Sequence, residues 1–417
     1  MPLSLLATVV CIQFIILTFV HFLLQSHWAG VVYASKHTFL AVIAAVVVLQ
    51  LGFATPQTKE VGDVLLFSGA GWHLRHQIDF YFIDAAHSQY PFFPFLIFLH
   101  TALNLLHELL PVVTFSWYLK LTLTICLLII SSLIVKEAER KTEGRQRVLQ
   151  LLTNPITTLV LYFHGQVDVF LLLFLLLAVW WQKNATHAQH IVWSVCLFTA
   201  SIAAKTWSVL LLPYFLLGLQ WRWRILTPLL IIGILIGNVF VYTRLVDGSS
   251  VRTVLPAVTA AGGPIGEWGV SYLIDAPLFW EQYGVFLLGA SVLLISLLVH
   301  TKRIPQWSAM LLLIFAIQIL LPRWGIQYLF WSVPLLYLDR TLTNRQRMFL
   351  TISAGLYAFF NYLNIAQEIE QQALIIDKKF VQYLGIFHWL ILCYTSLYLL
   401  QNQSSKQVRA KAKSEEL

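Results

Sequence analysis

Runs of about 15 to 22 apolar residues recur along the chain, close to the roughly 20 that a helix needs to cross a bilayer and too long for strands. The pattern predicts spans at 5–24, 37–54, 115–136, 148–162, 166–182, 191–204, 206–219, 225–243, 279–300, 307–322, 324–338, 348–366 and 381–400. The expected fold is therefore an all-α polytopic membrane protein with about 13 transmembrane helices. Several spans fall short of a full crossing, so their ends are expected to sit inside the bundle. Two long polar stretches, 55–90 and 244–278, interrupt the apolar pattern. Segment 91–110 carries Pro91, Pro94, His100, Asn104, His107 and Glu108. That is too polar for a lipid-facing crossing and predicts a juxtamembrane helix lying along the outer surface.

The basic residues orient the chain. Most of its 27 Lys and Arg fall on one side under this span assignment: 136–147, Arg222 and Arg224, Lys302 and Arg303, 340–347 and the stretch from Lys406 to Lys413. The positive-inside rule puts that side in the cytoplasm and the loops 55–90 and 244–278 outside. The 1–24 stretch has no Lys or Arg, so it reads as a retained helix rather than a signal peptide. Three regions follow: 1–36, an extra N-terminal helix and cytoplasmic loop; 37–400, the transmembrane domain; and 401–417, a disordered cytoplasmic tail.

Composition agrees with this picture. The chain is 59% hydrophobic and 11% charged with mean hydropathy +0.75, against roughly 25% charged for a soluble domain. A formal charge of +8 would point to nucleic acid in a soluble protein. Here it follows from topology, and no nucleic-acid partner is expected. The cysteines Cys11, Cys126, Cys196 and Cys393 lie in apolar stretches without a C-x-x-C spacing, so neither a zinc site nor a disulfide framework is implied. No Walker loop, D-x-D, G-x-S-x-G or H-E-x-x-H occurs.

Polar residues that could carry chemistry gather outside. Asp63 stands shortly after a span, at headgroup level, where reduced hydration suits a carboxylate acting as general base on a sugar hydroxyl. His73, Arg75, Asp79, Asp84, His87 and Tyr90 share its loop, where a solvated polar face is the simpler reading. Asn154-Pro155 opens a span ending at His164-Gly165-Gln166-Val167-Asp168, a tight turn whose His164, Gln166 and Asp168 could contact sugar or phosphate. Lys205 lies between two short spans, where a lysine must snorkel or be paired, or could hold a lipid phosphate. Arg323 is a second phosphate candidate, and Gln327, Tyr328 and Trp331 would share one face of the helix that follows. Loop 244–278, with Gly262-Gly263-Pro264, could act as a lid.

These residues, in this order, resemble the glycosyltransferase-C superfamily: Asp63 then Tyr90-Pro91 in the first external loop, Asn154-Pro155 leading to Gly165-Gln166-x-Asp168, Lys205 followed by Pro213, and Gln327-Tyr328-Leu329-Phe330-Trp331 with Pro334. The pattern is similar to the GPI mannosyltransferase I and bacterial polyprenol-phosphate mannosyltransferase branches, over residues 37 to 340. It departs in lacking a doubled acid beside Asp63 and in the additional first span. The resemblance implies an inverting transfer, without a metal or other cofactor, of one hexose, mannose first, from a polyprenyl-phosphate sugar to a lipid-linked or glycan acceptor at the bilayer. Asp63 would be the catalytic base. Lys205, Arg323, Arg75 and His73 would hold the donor phosphate, and His164, Gln166, Asp168, Tyr90 and Gln327 would contact sugar or acceptor. With no eukaryotic retention signal in the sequence, the expected location is the bacterial plasma membrane, or else the endoplasmic reticulum, with the site extracytoplasmic. The rival is a transporter or flippase of lipid-linked glycans, and a third reading is a non-catalytic subunit of a glycan-assembly complex.

Overall fold

The computed structural model describes residues 15–16, 18–24, 30–53, 63–84, 92–259, 268–274, 276–321, 325–370 and 377–415. Most of the first predicted span, His87, Tyr90-Pro91, Gly262-Gly263-Pro264 and Arg323-Trp324 lie outside them. Among the described residues every regular element is helical. The longer helices are α1 Lys36–Phe53, α2 Asp63–Arg75, α3 Pro94–Leu109, α4 Phe115–Glu137, α5 Lys141–Leu152, α6 Asp168–Lys183, α7 Ala188–Ala204, α8 Trp221–Leu245, α9 Pro277–Thr301, α10 Gln306–Leu320, α11 Asn344–Glu370 and α12 Lys378–Glu415. The chain divides into two compact units, Met1–Gly262 and Gly263–Leu417, where the sequence predicts one domain over 37–400.

Among the described residues four helices are long and apolar enough to cross a membrane: α4, α8, α9 and the Lys378–Gln401 part of α12. Other predicted spans appear as shorter apolar helices, and three are not continuous α-helices. The predicted 148–162 span breaks at Thr153-Asn154, continues through a three-residue turn at Pro155–Thr157, and winds as a π-helix over Thr158–Phe163. The 206–219 and 324–338 spans each begin as a 3₁₀ helix, Thr206–Leu211 and Ile326–Trp331, and then become α. Proline explains these changes. Pro155, Pro213 and Pro334 sit at the first or second position of the following helix, where a missing N–H is tolerated but cannot extend the preceding ladder.

In the first unit, α6 and α7 form a hairpin through residues 184–187 and pack along their length. Helix α2 lies on α3, and the contact depends on Gly71: an added Cβ there would fall 2.7 Å from the His100 carbonyl oxygen. Asn104 Nδ2 donates to Ser68 O at 2.9 Å across the same contact. Helix α3 therefore turns His100 and Asn104 into protein, while Glu108 stays exposed in its ion pair with Arg75. His100 and Asn104 are buried with Leu96, Ile97 and Leu103. At 16 residues α3 is about 24 Å long, short of the ~30 Å hydrocarbon core.

In the second unit, α10 packs between α9 and α12, and α11 pairs with α12. Trp268 Nε1 donates to Gln318 O at 2.7 Å, and Arg347 holds the end of Val333–Leu338 by donating to Leu336 O and Asp339 O, each at 2.7 Å. The 3₁₀ start of Ile326–Trp331 revises the expected stripe. With three residues per turn, Tyr328 and Trp331 eclipse, their rings 4.3 Å apart, and Gln327 is turned off that face. Helix α12 runs on through 401–415, where the sequence predicts a disordered tail. That stretch is rich in Gln, Lys, Ala and Arg, which are good helix formers extending an already nucleated helix.

Candidate functional site

Asp63 is the first residue of α2, not a loop residue. The expected loop 55–90 contains this helix and a second, Phe80–Asp84. A helix signal was present: an acid in the first turn, His73 and Arg75 in the last, and Val64, Phe67, Ala70, Gly71 and Leu74 buried at helical spacing. The acid suits the positive end of the helix dipole, and its side chain remains 39% exposed.

The 164–168 turn meets this carboxylate. Asn154 caps the break by accepting from Ile156 N at 2.9 Å, and the π-helix then carries the chain to His164. Gln166 Nε2 donates to Asp63 Oδ2. His164 Nε2 lies 3.4 Å from the same oxygen and 3.1 Å from Gln166 Nε2. That nitrogen accepts from the amide when bare, and donates to the carboxylate when it carries the proton. Burial pushes the Asp63 carboxyl up. The hydrogen bond and charge of His164, the Gln166 hydrogen bond and the charge of Lys205 outweigh it and hold the group below its ordinary value.

Gly165 makes the turn possible. Its φ of +75° is a left-handed conformation, and an added Cβ would lie 2.7 Å from Val64 Cγ2, on the residue next to Asp63. Gly165→Ala is expected to cost about 1–2 kcal/mol in backbone strain and to push Val64 and Asp63 away from Gln166. The detergent melting temperature should fall, and any activity with it. Adding Val64→Ala should return activity while the melting temperature stays low, because it removes the collision and not the strain.

Lys205 and Asp168 form a second pair. The ammonium donates to Asp168 Oδ1 at 2.8 Å and Oδ2 at 2.9 Å, with the Asp168 side chain fully buried and that of Lys205 8% exposed. Asp168 opens α6 and Lys205 is the extended residue just past the end of α7, so the pair ties the mouth of that hairpin. The ring of Phe92 lies 5.7 Å from the ammonium. Lys205, expected to meet a donor phosphate, is thus engaged by Asp168, and Asp168 holds this cation where sugar or acceptor contact was expected.

The structure therefore gathers Asp63, His164, Gln166, Lys205 and Asp168 in one region of the first unit. Other candidates lie elsewhere. His73 and Arg75 stand about 15 to 18 Å along the α2 axis from Asp63, at ~1.5 Å per residue. His73 Nδ1 bonds to Gly69 O at 2.6 Å, and Arg75 is ion-paired to Glu108. Asp79 caps Phe80–Asp84, taking Tyr81 N at 3.1 Å, Tyr242 Oη at 3.2 Å and Thr253 Oγ1 at 2.9 Å. Tyr90 and Arg323 lie outside the described residues, and Gln327 belongs to the second unit. Phe92 was not singled out by sequence; the Tyr-Pro-Phe-Phe-Pro run was the available signal. Among the described residues no three His, Cys, Asp or Glu side chains come together as metal ligands would. The chain matches no protein-family model, no curated protein and no solved structure.

Proposed function

We propose that the protein is a membrane glycosyltransferase that moves a hexose, mannose first, from a polyprenyl-phosphate sugar to a lipid-linked or glycan acceptor on the extracytoplasmic face, with inversion. In this reading the shorter apolar helices complete about thirteen full or partial crossings, and α2 and α3 lie at the outer surface. The observation that carries the proposal is the Asp63 carboxylate, partly open to solvent yet held charged by His164, Gln166 and Lys205. The acceptor hydroxyl gives its proton to Asp63 as its oxygen bonds to the anomeric carbon. The bond from that carbon to the phosphate oxygen breaks, and the carrier phosphate leaves as an anion needing no acid. His164, when the ring nitrogen facing Asp63 is bare, can take the proton onward. The Lys205–Asp168 pair fixes the ground beneath the carboxylate, and the Lys205 charge favours its ionised form.

One observation favours the rival transporter reading. Each unit contains a 3₁₀ helix passing into an α-helix with proline at its second position, and interrupted helices of this kind recur in the two halves of transporters. The deciding experiment incubates purified protein separately with polyprenyl-phosphate mannose and polyprenyl-phosphate glucose in the presence of lipid acceptors. Transfer from the mannosyl donor is expected. Its kcat/KM should hold as pH falls and drop only below the ordinary carboxylate range, because the depressed affinity of Asp63 for protons keeps the base charged down to its folded-state value. Intact donors, together with movement of lipid-linked glycan across vesicle bilayers, would replace this reading by its rival.

A further inference from the structure

We infer that Gln50, with His21 beside it, is a positioning residue for the Asp63 site, acting through the helix break at Thr153-Asn154. The inference rests on the reading of Asp63 as the base. The break leaves polar backbone inside an apolar bundle. Pro155 has no N–H, and Ile156 N is diverted to the Asn154 side chain, so the last carbonyls of α5 lose their helical partners. Leu151 O takes Asn154 N at 3.3 Å. Leu152 O is taken by Gln50 Nε2, which reaches in from α1. His21 Nδ1 lies 3.1 Å from Thr153 Oγ1, the next residue. Gln50, Thr153 and Asn154 are wholly buried and His21 is 1% exposed.

From that clamp the segment runs to the site without slack. Thr158 N bonds to Asn154 O at 3.1 Å, His164 N to Leu159 O at 2.9 Å, and Gln166 N to Val160 O at 3.1 Å. Every residue from Asn154 to Tyr162 is buried. Helix α1 also packs directly on the π-helix. Close-packed interiors pass displacement along rather than absorb it. If Leu152 O loses its donor, the segment relieves the orphaned carbonyl by rewinding. The residues at its far end, His164 and Gln166, are the ones that hold Asp63. The chain N-terminal to the site thereby acquires a role: it supplies the two side chains that brace the break.

The test uses full-length protein in detergent and reads Asp63 directly. Carbodiimide labels protonated carboxyls, so labelling of Asp63 followed by mass spectrometry across a pH series reports its ionisation without any turnover. His164 and Lys205 are the charged or titratable groups that act on it, and Asp168 neutralises Lys205. Gln50→Leu and Gln50→Met remove the donor, Met keeping the length should Leu not fold. Gln50→His restores a ring N–H donor. Val46→Ala, at a buried position one turn away on α1, removes packing alone. In Gln50→Met the labelling midpoint is expected to move up toward the ordinary carboxylate value and kcat to fall by about 10- to 100-fold, with donor KM little changed. Gln50→His should recover part of both, and Val46→Ala should move neither, even with an equal loss of melting temperature. An unmoved midpoint in folded Gln50→Met overturns the inference. A moved midpoint in a protein that transfers no sugar leaves the clamp standing and removes the transferase reading instead.

Discussion

Asp63→Asn is expected to cut turnover by roughly 10²–10⁴-fold, the usual worth of a general base, in a protein that still folds and binds donor. Asparagine fits the same space, and its oxygen can still accept from Gln166. What it cannot do is take a proton from the acceptor. Because the side chain is 39% exposed, losing its attraction to His164 should cost little stability after solvent screening. Asp79→Asn is the control. Its oxygens serve Tyr81, Tyr242 and Thr253, and an amide preserves one acceptor while the Thr253 hydroxyl can reverse its role. Purified variants assayed side by side separate the two acids. Should Asp63→Asn keep most of the wild-type rate, Asp63 is not the base and the transporter reading takes its place.

The Lys205–Asp168 pair should show the largest effect on folding. Either single change, Lys205→Met or Asp168→Leu, strands one buried charge and is expected to destabilise by about 3–5 kcal/mol. The double variant removes both charges and should recover much of that loss, since a buried pair replaced by apolar groups is often neutral or better. Detergent melting of the four proteins closes the cycle. Its second use is functional. If Lys205 only braces Asp168, the folded double variant keeps its donor KM. If its charge also attracts the donor phosphate, KM for donor rises while the melting temperature does not betray it. A double variant that loses the sum of the two single losses would show that the two groups are not coupled.

Much of this was legible along the chain, and the rest was hidden for physical reasons. Apolar runs announced helices without difficulty. Asp63 and the 164–168 turn stood out because each is a polar interruption beside a long apolar segment, and Gly165 read as a turn because glycine tolerates that backbone. What a single chain does not display is who stands opposite. Lys205 and Asp168 are 37 residues apart on different helices, so each looked like a possible ligand contact until its partner was visible. Helix α2 was masked by its own polarity, which read as loop although its buried positions keep helical spacing. The π and 3₁₀ segments escaped for the opposite reason: Thr158–Phe163 and Thr206–Leu211 are as apolar as any α-helix, and only the prolines nearby hinted that the winding changes.

The single nitrogen of His164 that faces both Asp63 and Gln166 would, in the transferase reading, have a consequence for the rhythm of turnover. One ring nitrogen cannot serve two neighbours in the same protonation state. If Asp63 passes its proton there, the Gln166 amide loses one of its two acceptors and keeps the carboxylate, and the resting arrangement returns only after the imidazole empties. At 26% exposure the side chain has a path to water for that step. In the transferase reading, a cycle that sends its proton through His164 would end with a reset of this ring, beside the direct route to water that the 39% exposed Asp63 side chain leaves open.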